Sequence, residues 1–106
     1  MGRVVTTTPA ADNDIRAIAT YIAADKVQPA RDFGVELAQA FARIGEHADL
    51  GRAIDVGLPI TLQVVRVSRR FRRYLIFYRV LDAERIEVVR VLHGARDVNT
   101  LLSGLS

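Results

Sequence analysis

The stretch that decides the fold is RYLIFYRVLDAERIEVVRVLHGARD, residues 73–97. Residues 73–81 alternate between two sets of side chains, which is the period-two pattern of a strand with one face on a core. A second apolar run at 86–93 follows the short connection 82–85, so we expect the two runs to pair as an antiparallel hairpin. The side chains expected on the core face of the first run are Tyr74, Ile76, Tyr78 and Val80.

Toward the N-terminus the same alternation predicts a third strand. Residues 60–65 alternate in this way, and an arginine-rich turn at 68–72 joins them to the hairpin. The segment 49–59 contains two glycines and a proline, so we expect it to be a loop. Three strands with such short connections predict an antiparallel meander.

Two amphipathic helices are predicted before these strands. Thr8 is a good capping residue and Pro9 suits the first helical position, so the first helix should begin there. Residues 26–28 form a break, and the second helix is predicted at 29–47 because apolar residues recur at spacings of three and four. The apolar stripe of the two helices consists of Ile15, Ile18, Ile22, Phe33, Phe41 and Ile44.

The predicted fold class is α+β. The short strand expected at Arg3–Thr8 completes the order β-α-α-β-β-β, a helical hairpin packed on a curved antiparallel sheet. A chain of 106 residues fits one domain, so residues 1–106 are expected to form a single unit.

The composition excludes several kinds of site. The chain has no cysteine, which rules out disulfides, thiolate catalysis and cysteine-ligated metals. The two histidines are far apart in the sequence, so we expect no metal and no cofactor. No apolar run reaches the roughly 18 residues of a membrane span, and the N-terminus lacks the apolar core of a signal peptide. We therefore expect a cytoplasmic protein that does not enter a membrane.

The charge is unevenly distributed. Residues 1–65 carry a net charge of −2, whereas residues 66–96 contain nine arginines against three acidic residues. Guanidinium groups bind phosphate and carboxylate as flat forks, so the second half is expected to face an anionic partner. The alternative is that scattered arginines only keep the domain soluble or form a solvated turn. The residues predicted to contact a target or partner are Arg69, Arg70, Arg72, Arg73, Arg96 and Asp97.

These strands resemble the C-terminal signature of the RelE/ParE toxins. The pattern R-x-Y-x-I-x-Y-R fits residues 72–79, and the pattern I-x-V-x-x-V-x-H-x-x-R-D fits residues 86–97. The run AIATYIA at 17–23 is similar to the first helix of that family. The resemblance implies a toxin of a type II toxin–antitoxin system, encoded with a cognate antitoxin that binds it as a hetero-oligomer.

Two departures from the RelE pattern favour the ParE branch. Leu75 stands where RelE-like nucleases often place a catalytic arginine, and Leu101–Leu102 stands where they place a tyrosine. The ParE branch implies inhibition of DNA gyrase and a ParD-like antitoxin. The alternative is a ribosome-dependent mRNA endoribonuclease of the RelE type, and its candidate residues are Arg66, Arg90, His93 and Arg96. A third hypothesis, a non-toxic nucleic-acid-binding domain, is weakened because the sequence has no helix-turn-helix, RNP or zinc-finger pattern.

Several of these residues have simpler structural roles as alternatives. His93 is the only general acid or base candidate, but a histidine at the end of an apolar strand is more often structural. Arg96 and Asp97 could instead pin the chain where it leaves the sheet. The apolar stripe of the two helices is expected mainly to form the core. The stripe residues that stay exposed are expected to form an apolar groove for an antitoxin helix. The residues assigned to this groove are Ile15, Ile18, Ile22, Phe33 and Phe41.

Overall fold

A computed structural model describes residues 2–55, 57 and 60–97 of the chain. It contains two long helices and five strands. Their bounds are β1 Val4–Thr7, α1 Pro9–Asp25, α2 Val27–Glu46, β2 Arg52–Asp55, β3 Thr61–Arg66, β4 Tyr74–Val80 and β5 Arg85–His93. Residues 94–97 form a further helical turn.

The start of α1 follows the capping chemistry that the sequence predicts. The Thr8 hydroxyl accepts a hydrogen bond from the Ala11 backbone N–H at 3.0 Å, and Pro9 occupies the first turn. The break between the helices is shorter than predicted, because Lys26 alone is extended and α2 already begins at Val27. Pro29 is tolerated there because the first N–H groups of a helix have no partner within the helix.

The sheet has the strand order β1-β5-β4-β3-β2. Strands β3, β4 and β5 form the predicted antiparallel meander. Strand β1, however, pairs in parallel with β5, from Val4 opposite Arg85 to Thr7 opposite Val88. The α+β class and the helical hairpin are therefore confirmed, but the sheet is mixed rather than purely antiparallel.

A fifth strand lies within the segment that we expected to be a loop. Residues 52–55 form β2, which pairs antiparallel with β3. This strand has a short and irregular apolar pattern, so periodicity did not identify it. Its position is fixed by tertiary contacts: Gly51, just before β2, donates its backbone N–H to the buried Tyr78 hydroxyl at 2.7 Å. A Cβ atom at residue 51 would lie 2.7 Å from that oxygen, so only glycine fits.

The sheet carries apolar side chains on both faces. The helices cover one face, where the main core includes the fully buried Phe33, Ile44 and Tyr78. On the opposite face, which we call the outer face, Phe77 and Leu92 are each 4% exposed. They pack with the partly buried Ile54, Val64 and Leu75. Neither helix within the described residues combines the length and the hydropathy needed to cross a membrane.

Candidate functional site

The arginines from Arg52 onward divide into paired and unpaired groups. Arg79 bonds Glu87 at 3.0 Å, and Arg85 bonds Asp82 at 2.8 Å. Arg70 and Arg90 also form salt bridges with carboxylates. The arginines that are exposed and form no salt bridge within residues 2–55, 57 and 60–97 include Arg52, Arg66, Arg69, Arg72 and Arg73.

Three of the unpaired arginines surround one cavity, which we call the arginine pocket. Its volume is about 340 Å³. Arg66 is the last residue of β3, and Arg72 and Arg73 stand on the turn that leads to β4. The residues that line the pocket are Arg66, Arg72, Arg73, Leu75, His93, Gly94 and Ala95. With three cations and no carboxylate among these residues, the pocket favours an anion.

Backbone hydrogen bonds fix the turn that carries these arginines. The Ser68 hydroxyl accepts the Phe71 N–H at 3.0 Å, and the Phe71 carbonyl accepts the Tyr74 N–H at 3.1 Å. The Gly94 N–H donates to the Arg73 carbonyl at 2.8 Å, which ties the turn to the end of β5. The arginines therefore stand on a fixed backbone, which lowers the entropy cost of binding an anion.

The Leu75 side chain rests against Gly94 at the pocket. A Cβ atom at residue 94 would lie 2.9 Å from Leu75 Cδ1, so the glycine allows the leucine to lie close to the backbone. Leu75 also belongs to the apolar cluster of the outer face. The pocket thus combines cationic walls with one aliphatic side chain.

His93 takes part in a row of aromatic contacts. Its ring packs edge-on against Tyr74 with centroids 5.4 Å apart, and Tyr74 packs in the same way against Phe33. The Asp97 carboxylate accepts a hydrogen bond from the His93 backbone N–H at 3.2 Å. His93 Nδ1 is buried and has no hydrogen-bond partner among the described residues. Among the described residues, the His93 ring is therefore positioned by its packing against Tyr74 and not by a hydrogen bond to Nδ1.

Arg90 is held by Asp14 of α1. Its guanidinium donates two hydrogen bonds to the Asp14 carboxylate, at 2.7 and 2.8 Å. The Val91 N–H donates to the same carboxylate at 3.1 Å. Hydrogen bonding to Asp14 raises the pKa of Arg90 above its ordinary value, with burial acting in the opposite direction. This geometry gives Arg90 a structural role between α1 and β5.

Arg96 also points away from the arginine pocket. Its guanidinium lies over the ring of Tyr21 on α1, with Cζ 5.2 Å from the ring centroid. Of the four residues predicted for an endoribonuclease, only Arg66 and His93 line the same cavity. The structure therefore does not gather the predicted catalytic set in one place.

The predicted cluster Arg69, Arg70, Arg72 and Arg73 is exposed, but its members differ. All four line a second cavity beside Phe71 and Tyr74. Arg70 is tied to Asp32 of α2 at 2.8 Å and covers the Phe71 ring at 5.0 Å. Its hydrogen bond lowers the pKa of Asp32. Arg70 therefore braces the turn against α2, whereas Arg72 and Arg73 remain free of carboxylates in the described part of the chain.

The predicted helical groove needs a correction. Phe33 is fully buried and Ile18 is 8% exposed, because both pack between the helices and the sheet. They belong to the core and offer no open surface. The other members, Ile15, Ile22 and Phe41, are partly buried at its edge.

Sequence reasoning missed several residues of the surface. Tyr21 is 64% exposed on α1, and its position in the 17–23 run was the available signal. Leu50 and Arg52 line a cavity next to the arginine pocket, although both fall in the expected loop. No group of three or more histidine, cysteine or acidic residues within the described ranges is arranged to hold a metal ion.

Comparison with solved structures shows that this fold is a known one. The fold is shared with a structure of the chromosomal ParDE TA system from P. aeruginosa, with a TM-score of 0.66 and 16% sequence identity. The match covers 86% of this chain and 95% of that chain, and at this identity it shows the fold. No curated protein sequence matches the chain.

The family itself is shown by the sequence. Residues 5–98 match the family described as ParE toxin of type II toxin-antitoxin system, parDE. The chain therefore belongs to the ParE toxin family. The predicted RelE/ParE resemblance, with the ParE branch favoured, is confirmed.

Proposed function

We propose that this toxin acts in the cytoplasm by inhibiting DNA gyrase and is neutralised by a ParD-like antitoxin in a hetero-oligomer. Membership of the ParE family over residues 5–98 carries the proposal. The family match does not by itself name the target, so the choice between gyrase inhibition and RNA cleavage rests on the site.

The arrangement of the site supports binding over cleavage. Arg90 is held by Asp14 at 2.7 Å and Arg96 lies over Tyr21, so neither faces the arginine pocket. Cleavage of a phosphodiester needs a positioned acid or base, and His93 Nδ1 has no hydrogen-bond partner among the described residues. An inhibitor needs only complementary contacts.

The helical face supports an antitoxin that binds as an amphipathic helix. Ile15, Ile22 and Phe41 are partly exposed around the core, and Tyr21 is exposed beside Ile22 in a further cavity. A helix with apolar residues at spacings of three and four would cover these side chains. The P. aeruginosa structure is described as a ParDE system, which supports a ParD-like partner here.

One observation favours the alternative, a ribosome-dependent mRNA endoribonuclease. Arg66, Arg72 and Arg73 share a cavity with His93, and such a set holds a phosphate next to a titratable ring. Leu75 also lines this cavity, at the position where the resemblance to RelE-like nucleases implies an arginine.

The two functions are separated by assays of the purified full chain. We expect it to block supercoiling of relaxed plasmid by gyrase, and to arrest growth with filamentation when it is expressed without its antitoxin. The antitoxin, supplied from the adjacent reading frame, should restore both. Cleavage of ribosome-bound mRNA with normal gyrase activity would reject the proposal in favour of the nuclease.

A further inference from the structure

The arginine pocket continues into a second cavity on the outer face of the sheet. This cavity, of about 490 Å³, is lined by Leu50, Arg52, Val64, Val65, Arg66 and Leu75. It shares Arg66 and Leu75 with the arginine pocket. We call the two cavities together the outer-face channel.

The charge of the channel is uncompensated. Arg52, Arg66, Arg72 and Arg73 are exposed, and none forms a salt bridge within the described part of the chain. Neither cavity has a carboxylate among its lining residues. An unpaired cluster of guanidinium groups concentrates positive potential and attracts a polyanion.

The floor of the channel distinguishes between anionic partners. It is aliphatic, formed by Val64 and Leu75 over the buried Phe77 and Leu92. Strands β3 and β4 are hydrogen-bonded to neighbours on both sides, so the floor offers no free backbone edge. An extended acidic peptide would leave its own amide groups without partners there, whereas a nucleotide strand carries a charge on every unit and has no such requirement.

The shape of the pocket favours a single strand over a duplex. A duplex presents phosphates on a convex surface with its bases stacked inside, so its bases could not contact Leu75. An unstacked nucleotide places its phosphate on guanidinium groups and its sugar and base on an apolar side chain. The volume of about 340 Å³ lies at the lower end of the range of ligand pockets, near the size of one nucleotide.

We propose that the arginine pocket binds one nucleotide of a single-stranded nucleic acid, with its phosphate on Arg72 and Arg73 and its sugar and base on Leu75. The strand continues past Arg66 toward Arg52. This inference goes beyond the proposed function, because neither gyrase inhibition nor antitoxin binding requires the toxin itself to hold a nucleic acid strand.

Gly94 provides a test that leaves the charge unchanged. A Cβ atom at this position meets Leu75 Cδ1 at 2.9 Å, at the flexible end of the leucine. Gly94→Ala therefore displaces Leu75 and reshapes the pocket without removing an arginine. It is expected to weaken strand binding several-fold while the salt dependence of binding stays the same.

The binding experiment uses the full-length toxin and labelled 12-nucleotide single-stranded DNA, single-stranded RNA and duplex DNA, measured by fluorescence anisotropy at several salt concentrations. Inorganic phosphate and a glutamate-rich peptide serve as competitors. The test variant is Arg72→Gln with Arg73→Gln. The matched control, Arg79→Gln with Arg85→Gln, removes the same charge from two salt-bridged arginines outside the channel. Thermal unfolding establishes that each variant is folded.

The expected result is tighter binding of the single strands than of the duplex. The test variant should weaken single-strand binding on the order of tenfold. It should lower the slope of log affinity against log salt by about 0.7, because the two arginines hold one phosphate and each lost phosphate contact on a single strand accounts for about 0.7. The control should change affinity by less than about twofold at moderate salt. The DNA and RNA arms identify which strand the pocket prefers.

Three outcomes would overturn the inference: equal weakening by the test and control variants, tighter binding of the duplex, or displacement by the peptide as effective as by unlabelled strand. The gyrase assay separates this inference from the proposed function. If the toxin inhibits gyrase but binds no single strand, only the proposal of a nucleotide-binding pocket is rejected. If it binds single strands but does not inhibit gyrase, that proposal is supported and only gyrase as the target is rejected.

Discussion

Tyr78 is the residue through which the sheet holds the segment that follows α2. Its side chain is fully buried, and its hydroxyl accepts from the Gly51 N–H at 2.7 Å and donates to the Ala48 carbonyl at 2.9 Å. Burial raises the pKa of Tyr78, with the hydrogen bond from Gly51 acting in the opposite direction. One polar atom in the core thus determines where β2 begins.

We expect Tyr78→Phe to lower the free energy of unfolding by about 1–3 kcal/mol, because two buried backbone groups lose their partner. Urea unfolding measures the change. Tyr74→Phe is the control, since the Tyr74 hydroxyl makes no hydrogen bond within the described residues, and it should change stability by less than about 0.5 kcal/mol. Equal losses in the two variants would contradict this role of the Tyr78 hydroxyl.

The raised pKa of Tyr78 also predicts a pH dependence. A group whose pKa is higher in the folded state contributes stability that is full below its unfolded pKa, near 10.0, and is lost as the pH rises beyond it. Tyr78→Phe has no such ionisation, so the difference in stability between wild type and variant should narrow above about pH 10. Unfolding curves between pH 8 and about 11 would show this narrowing, and a constant difference would contradict it.

The two aromatic residues of α2 predict a contrast in stability. Phe33 is fully buried, whereas Phe41, another member of the predicted apolar stripe, is only partly buried at the edge of the core. Phe33→Ala should cost about 3–5 kcal/mol and Phe41→Ala clearly less, because the cost follows the cavity left behind. Thermal or urea unfolding of both variants tests the order, and a larger loss at Phe41 would contradict the burial.

At the scale of elements, side chains at the start of α1 form hydrogen bonds with the part of the β5 edge that β1 does not reach. Strand β1 pairs only with residues 85–88, although β5 runs to His93. Beyond that point the Thr8 hydroxyl donates to the Val89 carbonyl at 2.8 Å, and Asp14 accepts from the Val91 N–H. The register of β4 against β5 shifts at Phe77/Tyr78, opposite this part of β5. Helix α1 therefore replaces a missing strand with side-chain hydrogen bonds.

Removal of this link should cost stability. Asp14→Ala leaves the Arg90 guanidinium, 19% exposed, and the Val91 N–H without their partner, so we expect a loss of about 2–3 kcal/mol. Asp82→Ala breaks the exposed pair with Arg85 and should leave the stability almost unchanged. Urea unfolding of the two variants gives the comparison. A similar small effect for both would show that the Asp14 link contributes little.

At the scale of the whole molecule, the two candidate surfaces lie on different sides of the sheet. The partly exposed apolar side chains of α1 and α2 border the main core, whereas Leu75 belongs to the outer face. A ligand in the outer-face channel and an antitoxin helix on the helical face would therefore use separate contacts.

This separation predicts that toxicity and antitoxin binding respond to different variants. Arg72 and Arg73 were also predicted to contact the target, so Arg72→Gln with Arg73→Gln should relieve growth arrest. The co-expressed antitoxin should still co-purify with the toxin, because apolar contacts dominate slow dissociation. Tyr21→Ala with Ile22→Ala should weaken co-purification instead. If the arginine variant loses the antitoxin and the helical variant retains it, the two surfaces are assigned the wrong way round.

The sequence alone determined most of the elements and the family, because the spacing of apolar residues and the caps are local properties of the chain. Helices α1 and α2 and strands β3 to β5 follow from these patterns, as does the motif that ends at Asp97. Arg66, Arg72, Arg73 and His93 were also singled out as residues of interest, and the structure places all four around one cavity.

Only the tertiary structure decided which strands are neighbours and which charges are free. The parallel pairing of β1 with β5 joins residues about 80 positions apart, and no local pattern records its direction. Strand β2 exists because Tyr78 and β3 position it, not because its own residues alternate. Arg90 and Arg72 are equivalent in the sequence, but folding brings a carboxylate from 76 residues away to Arg90 and none of the described carboxylates to Arg72. Contacts between residues that are distant in the sequence decide which arginines have a carboxylate partner, and these contacts form only when the chain folds.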